Sequence, residues 1–164
     1  LSLQEQLKKW LIDAGRVAII GIGNPLRGDD GLGPLVIQKL KKENLPKNVK
    51  LFNCGATPET FTSHVKRFQP THIIMVDSAH LNIEVGEAKL VSAENIGGLT
   101  VSTHNLPLNL FAEYLQEETK AEIILLAVQP KKIDYNTEIT SELRKAAERL
   151  SEDIREVFRS KAHF

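Results

Sequence analysis

Cysteine, methionine and tryptophan each occur once in these 164 residues. A lone cysteine, Cys54, excludes any intrachain disulfide framework and suits a reducing compartment. It closes the run Val49-Lys-Leu-Phe-Asn-Cys54, where an apolar segment ends, and reads as a buried structural thiol. A nucleophilic role would need a base partner, and none is recognisable around Cys54 or the scattered serines. No apolar run approaches the ~20 residues needed to span a bilayer. The N-terminal segment lacks a basic-then-apolar leader, so the expected setting is the cytoplasm, without membrane contact. Charge of one sign is missing too. Twenty-one basic and 21 acidic side chains cancel, leaving no global field to recruit nucleic acid. Low-complexity stretches, internal repeats and linkers are also absent. Hydrophobic residues at 41% and charged residues at 26% then describe an ordinary globular chain, read as one domain over residues 1–164 and most simply as a monomer.

What is present is an alternation of two periods. Leu3, Leu7, Trp10 and Leu11 recur at helical spacing, with Gly15 placed to end that helix. Arg16-Val-Ala-Ile-Ile-Gly21 is a short β-branched run, the pattern of a strand buried on both faces. A helix around Pro34 to Leu40 follows, then a strand over residues 49–53, a helix over 58–68 and a strand over 72–77. A short strand over 87–91, a helical face at Leu108, Phe111, Ala112 and Leu115, a strand over 122–128 and a long closing helix complete the chain. Strands alternating with helices through right-handed crossovers predict an α/β fold: a three-layer α/β/α domain with a twisted, mostly parallel five-stranded sheet.

The glycine-rich turn Gly21-Ile-Gly-Asn-Pro-Leu-Arg-Gly-Asp-Asp30 leaves the first of these strands. A turn of this shape normally cradles phosphate with backbone amides, a lysine and a hydroxyl. Here Asp29 and Asp30 occupy the lysine and hydroxyl positions, so the charge is inverted and a cation is indicated. The dinucleotide pattern fails as well, because Leu26 stands where a third glycine is needed. Gly23-Asn24-Pro25 is similar to the turn of peptidyl-tRNA hydrolases, but Leu26 replaces that family's second glycine.

Open α/β sheets bind ligands beyond the carboxyl ends of their strands. Asp30, Asp77 and His104 fall in or near such loops. Two carboxylates and an imidazole suit a borderline divalent ion such as nickel or zinc, and three protein ligands leave positions open for chemistry. Each has a structural alternative: Asp29 or Asp30 as a helix cap, Asp77 as a loop hydrogen-bond acceptor, His104 as a turn residue. His64, His72 and His163 read as structural or solvated, while His80, three residues beyond Asp77, could join the pocket.

In order along the chain, the segment Gly21 to Pro34, Ile74-Met-Val-Asp-Ser78, Ser102-Thr-His-Asn-Leu-Pro-Leu108 and Val128-Gln-Pro130 resemble the [NiFe]-hydrogenase maturation endopeptidases, particularly the branch serving the formate-hydrogenlyase hydrogenase. The resemblance implies a nickel-dependent endopeptidase that removes a C-terminal extension from the precursor of the hydrogenase large subunit. It places the family's metal-contacting acids on Asp30 and Asp77 and its histidine on His104, and makes Asp29 the neighbouring acidic position. It further implies nickel carried by the precursor, with zinc or cadmium standing in for it in a crystal. Asn53-Cys54-Gly55 departs from the family's more usual Asp-Gly-Gly, a segment associated with substrate recognition. A non-cleaving nickel-binding assembly chaperone and a peptidyl-tRNA hydrolase-like enzyme are the alternatives.

Overall fold

Three apolar runs make the centre of the sheet. Val17–Ile22 (β1) and His72–Ser78 (β3) are buried throughout, and Glu122–Val128 (β5) is buried at every residue but the first. Val49–Gly55 (β2) and Ala88–Ser92 (β4), at the two edges, keep more exposed positions. The computed structural model describes residues 1–99 and 107–161. In it the strands run in the order β2-β1-β3-β5-β4, with β4 antiparallel to β5 and every other pair parallel.

Alternate residues of each central strand feed different cores. Ile19, Ile74, Val76, Leu126 and Val128 pack with helices Leu3–Trp10 (α1), Leu32–Leu40 (α2) and Ser141–Lys161 (α5). Ile20, Ile73, Met75, Leu125 and Ala127 face the opposite way, toward Thr62–Phe68 (α3) and Leu108–Thr119 (α4). This period of two carries the sheet's hydrophobic burial into both helical layers. No helix among the described residues is long and apolar enough to cross a membrane.

Two local expectations need correction. α1 ends at Trp10 with Leu11 as its cap, the Leu11 amide donating to the Leu7 carbonyl and the Ile12 amide to the Lys9 carbonyl, so Gly15 does not terminate it. Gly15, two residues before β1, instead donates its amide to Thr71 Oγ1 at 2.8 Å, just ahead of β3. The helix expected over 58–68 opens as a 3-10 turn, Pro58–Phe61, before becoming α3.

The start of α2 lies directly on β1 and β3. A methyl group at Gly33 would run into the carbonyls of Ile22 and Val76, so only glycine permits this approach. Pro34 falls in the first turn of α2, where its missing amide costs nothing.

Candidate active site

Strand order reverses between β1 and β3, because β2 lies on one side of β1 and β3 on the other. Crevices in open sheets form at such reversals. The chain leaves β1 through Gly23, at φ +137°, and returns as the 3-10 turn Gly28–Gly31 that leads into α2. That return carries Asp30 back over the end of β1, where its Oδ2 accepts a 2.8 Å hydrogen bond from the Asn24 amide. Asp77 occupies the penultimate position of β3, and its Oδ1 accepts the Ser78 amide at 2.8 Å.

Both aspartates converge on Gly23. A side chain there would collide with the Asp30 carbonyl and lie 3.5 Å from Asp77 Oδ1. Glycine is therefore required twice, for its backbone angle and for the space it leaves between two acidic elements. Asp30 is 1% exposed and Asp77 fully buried. Asp30 forms no ion pair among the described residues, and its Oδ1 accepts no hydrogen bond there. A buried carboxylate in this condition favours a cation or a donor from outside. Gly23 also donates its amide to the Gly55 carbonyl at 2.9 Å, joining the carboxyl ends of β1 and β2.

Among the described residues no group of three His, Cys, Asp or Glu side chains is placed to hold a metal ion. His104, the nitrogen donor expected from the sequence, lies outside the described residues, as does His163. Asp30 and Asp77 supply oxygen donors only, so a mixed donor set depends on His104 or on ligands brought by a partner.

Asp29 has a different task from its neighbour. Its Oδ2 accepts the amides of Lys131 (2.8 Å) and Lys132 (3.0 Å), and its Oδ1 accepts the amide and hydroxyl of Thr140, each at 2.8 Å. It caps no helix: neither the 3-10 turn nor α2 has a side-chain cap. Asp29 instead clasps the loop between β5 and α5.

His72 is buried, its Nδ1 2.9 Å from Thr71 Oγ1 and its ring edge-on to Trp10, which gives it a structural place. His64 is exposed on α3. His80 is exposed in the loop after β3. Cys54 sits at an irregularity where Ile22 pairs with Gly55, is 3% exposed, and burial pushes its thiol up to about 12. A thiol so protonated is no nucleophile at neutral pH.

The sequence gives Gln129 no role of its own beyond its place in a motif block. Its side chain accepts the Leu81 amide at 2.6 Å and donates to the Pro130 carbonyl at 3.2 Å, holding the loop that follows Asp77. The signal was its place in the fourth motif block, Val128-Gln-Pro130.

A family model described as hydrogenase maturation protease matches residues 34–157. A Methanocaldococcus jannaschii protein provisionally named a hydrogenase maturation protease is 37% identical over 162 residues, covering 94% of this chain and 95% of its own. The hydrogenase 3 maturation protease of Escherichia coli K12 is 30% identical over 132 residues, 79% of this chain and 83% of that protein. The crystal structure of a [NiFe] hydrogenase maturation protease, HycI of Thermococcus kodakarensis KOD1, superposes with a TM-score of 0.86 at 35% identity, covering 94% of this chain and 99% of its own. On a family-model match that spans most of its length and on relatives that align along nearly all of it, the chain belongs to the hydrogenase maturation proteases.

Proposed function

We propose that this chain removes the C-terminal extension from the precursor of a [NiFe]-hydrogenase large subunit, and that it cuts only after nickel has been inserted. The observation that carries this is a pair of buried aspartates, Asp30 and Asp77, on two elements that close on Gly23 at the carboxyl edge of the sheet, the first by its backbone and the second by its side chain. The names of the relatives support the substrate class, one being a [NiFe] hydrogenase maturation protease and another a hydrogenase 3 maturation protease.

Nickel belongs here to the substrate. Bound in the precursor, it supplies Lewis acidity that polarises a peptide carbonyl or a water. Asp30 and Asp77 provide oxygen ligands fixed by the Asn24 and Ser78 amides, and His104 provides the nitrogen. Holding the two carboxylates in advance sets the scissile peptide against the metal and removes an orientational cost from the reaction. Cys54, protonated and buried, takes no part as nucleophile, so cleavage proceeds without a thioester. A monomer with one protein partner suffices; neither nucleic acid nor membrane is required.

The test mixes purified chain with nickel-loaded and nickel-free precursor and follows loss of the C-terminal peptide by mass. Loaded precursor shortens and nickel-free precursor does not. Equal cleavage of both forms refutes the nickel gate. A stable complex with unchanged precursor mass makes the chain a non-cleaving assembly chaperone. Turnover of peptidyl-tRNA, or of generic peptides with added zinc, makes it a different hydrolase.

A further inference from the structure

A second feature of the glycine loop faces outward. Residues 26–29 form a backbone ladder with the loop after β5: the Asn136 amide donates to the Leu26 carbonyl (2.9 Å), Gly28 to Thr137 (3.0 Å) and Asp29 to Lys132 (2.9 Å). The ladder raises a ridge with Leu26 68% and Tyr135 66% exposed. Between them the Arg27 guanidinium lies 4.5 Å over the Tyr135 ring. Its Nε is buried without a hydrogen-bond partner, and Arg27 forms no ion pair among the described residues.

Exposed leucine and tyrosine flanking a half-buried arginine on a hydrogen-bonded backbone are unusual away from a contact surface, and Tyr and Arg dominate the energetics of protein interfaces. Stacking on Tyr135 orders the guanidinium in advance, so little side-chain entropy is lost when a partner arrives. On the other flank of Leu26 runs a groove of about 860 Å³, bordered by Leu35, Ile139, Lys41 and Arg144, with Glu138 as its one acidic side chain. Neither Lys41 nor Arg144 forms an ion pair among the described residues. Ridge and groove thus set Arg27, Lys41 and Arg144 against Glu138, with Asp134 beside Tyr135 facing Lys132, a locally positive surface three residues from Asp30 within a chain of zero net charge.

We infer that the Leu26-Arg27-Tyr135 ridge is the docking surface for a carboxylate-bearing segment of the precursor polypeptide, with Arg27 taking the carboxylate in its planar fork. This rests on the proposed protease reading and assigns specificity to residues outside the aspartate pair. Arg27 is a positioning residue: it holds the partner and touches no reacting atom.

The experiment measures kcat and KM on nickel-loaded precursor for the parent chain, Arg27→Ala, Arg27→Lys and Tyr135→Ala. Arg27→Ala is expected to raise KM about tenfold with kcat within twofold, and Arg27→Lys to recover only part of that loss. Parent KM should rise with salt more steeply than that of Arg27→Ala. Changing precursor Asp and Glu residues one at a time to amides should find one whose loss abolishes the difference between parent and Arg27→Ala. An unchanged KM in Arg27→Ala overturns the inference, as does a fall in kcat alone. Concentration-dependent dimerisation of the chain that Arg27→Ala abolishes also overturns it, by making the ridge a self-contact. If the parent chain binds precursor without cutting it, the protease reading fails while an Arg27-dependent affinity still supports the ridge. Affinity equal in parent and Arg27→Ala removes the ridge whatever the fate of catalysis.

Discussion

Asp29 and Thr140, 111 positions apart, share two hydrogen bonds, one from the Thr140 amide and one from its hydroxyl, both to Asp29 Oδ1. With the Lys131 and Lys132 amides on Oδ2, four donors depend on one fully buried carboxylate. Asp29→Ala strands three backbone amides and is expected to lower unfolding free energy by about 3 kcal/mol or more. Asp29→Asn keeps one acceptor oxygen and should lose less. Urea unfolding compares the three chains, and a parent-like midpoint for Asp29→Ala would deny the clasp.

Asp30 should behave in the opposite sense. It is buried without an ion pair among the described residues, so Asp30→Asn removes an uncompensated charge and should leave the thermal midpoint unchanged or higher. Cleavage of nickel-loaded precursor should nonetheless fall by about 100-fold or more, as it should for Asp77→Asn and His104→Gln. Near-normal turnover in any of the three excludes that residue from the proposed ligand set.

Gly23→Ala places a methyl group against the Asp30 carbonyl at a backbone angle that disfavours side chains. It should destabilise the chain and displace both aspartates. Gly98→Ala, where an added methyl meets nothing within 4 Å among the described residues, is the control and should unfold as the parent does. Paired thermal melts decide; equal midpoints would show that the two acidic elements do not close on Gly23.

Cys54 gives a pH signature. Its folded thiol is pushed up to about 12 by burial, from an ordinary value of 9.0, so the unfolded chain loses its proton first as pH rises. The stability owed to the buried neutral thiol is complete below about pH 9 and is lost between there and pH 12. Cys54→Ala should flatten the decline of stability across that window, whatever its effect on the absolute level. Native protein at pH 8 should also resist thiol alkylation until unfolded. Prompt labelling of native Cys54 would contradict its burial.

The sheet was legible because β1, β3 and β5 are buried on both faces, so their composition alone marks them. The position of Asp77 was legible for the same reason, since it is the carboxylate that closes one of these apolar runs. The separate fates of Asp29 and Asp30 were not, since adjacent identical residues differ only through partners more than 100 positions away. Gly15 misled because a glycine near a helix end suits a cap, while its actual partner is Thr71. Arg27 escaped notice because its stacking on Tyr135 joins two loops with no shared pattern.

The ladder joining residues 26–29 to 132–137 makes two loops into one mechanical body. Neither can lengthen, shorten or swing without dragging the turn that holds Asp30, because Asp29 is tied at both of its oxygens. Insertions and deletions in this wall are therefore closed routes to a new substrate. Within such a scaffold, preference for one precursor over another is written in exposed side chains, replaced one at a time on a backbone that stays where it is.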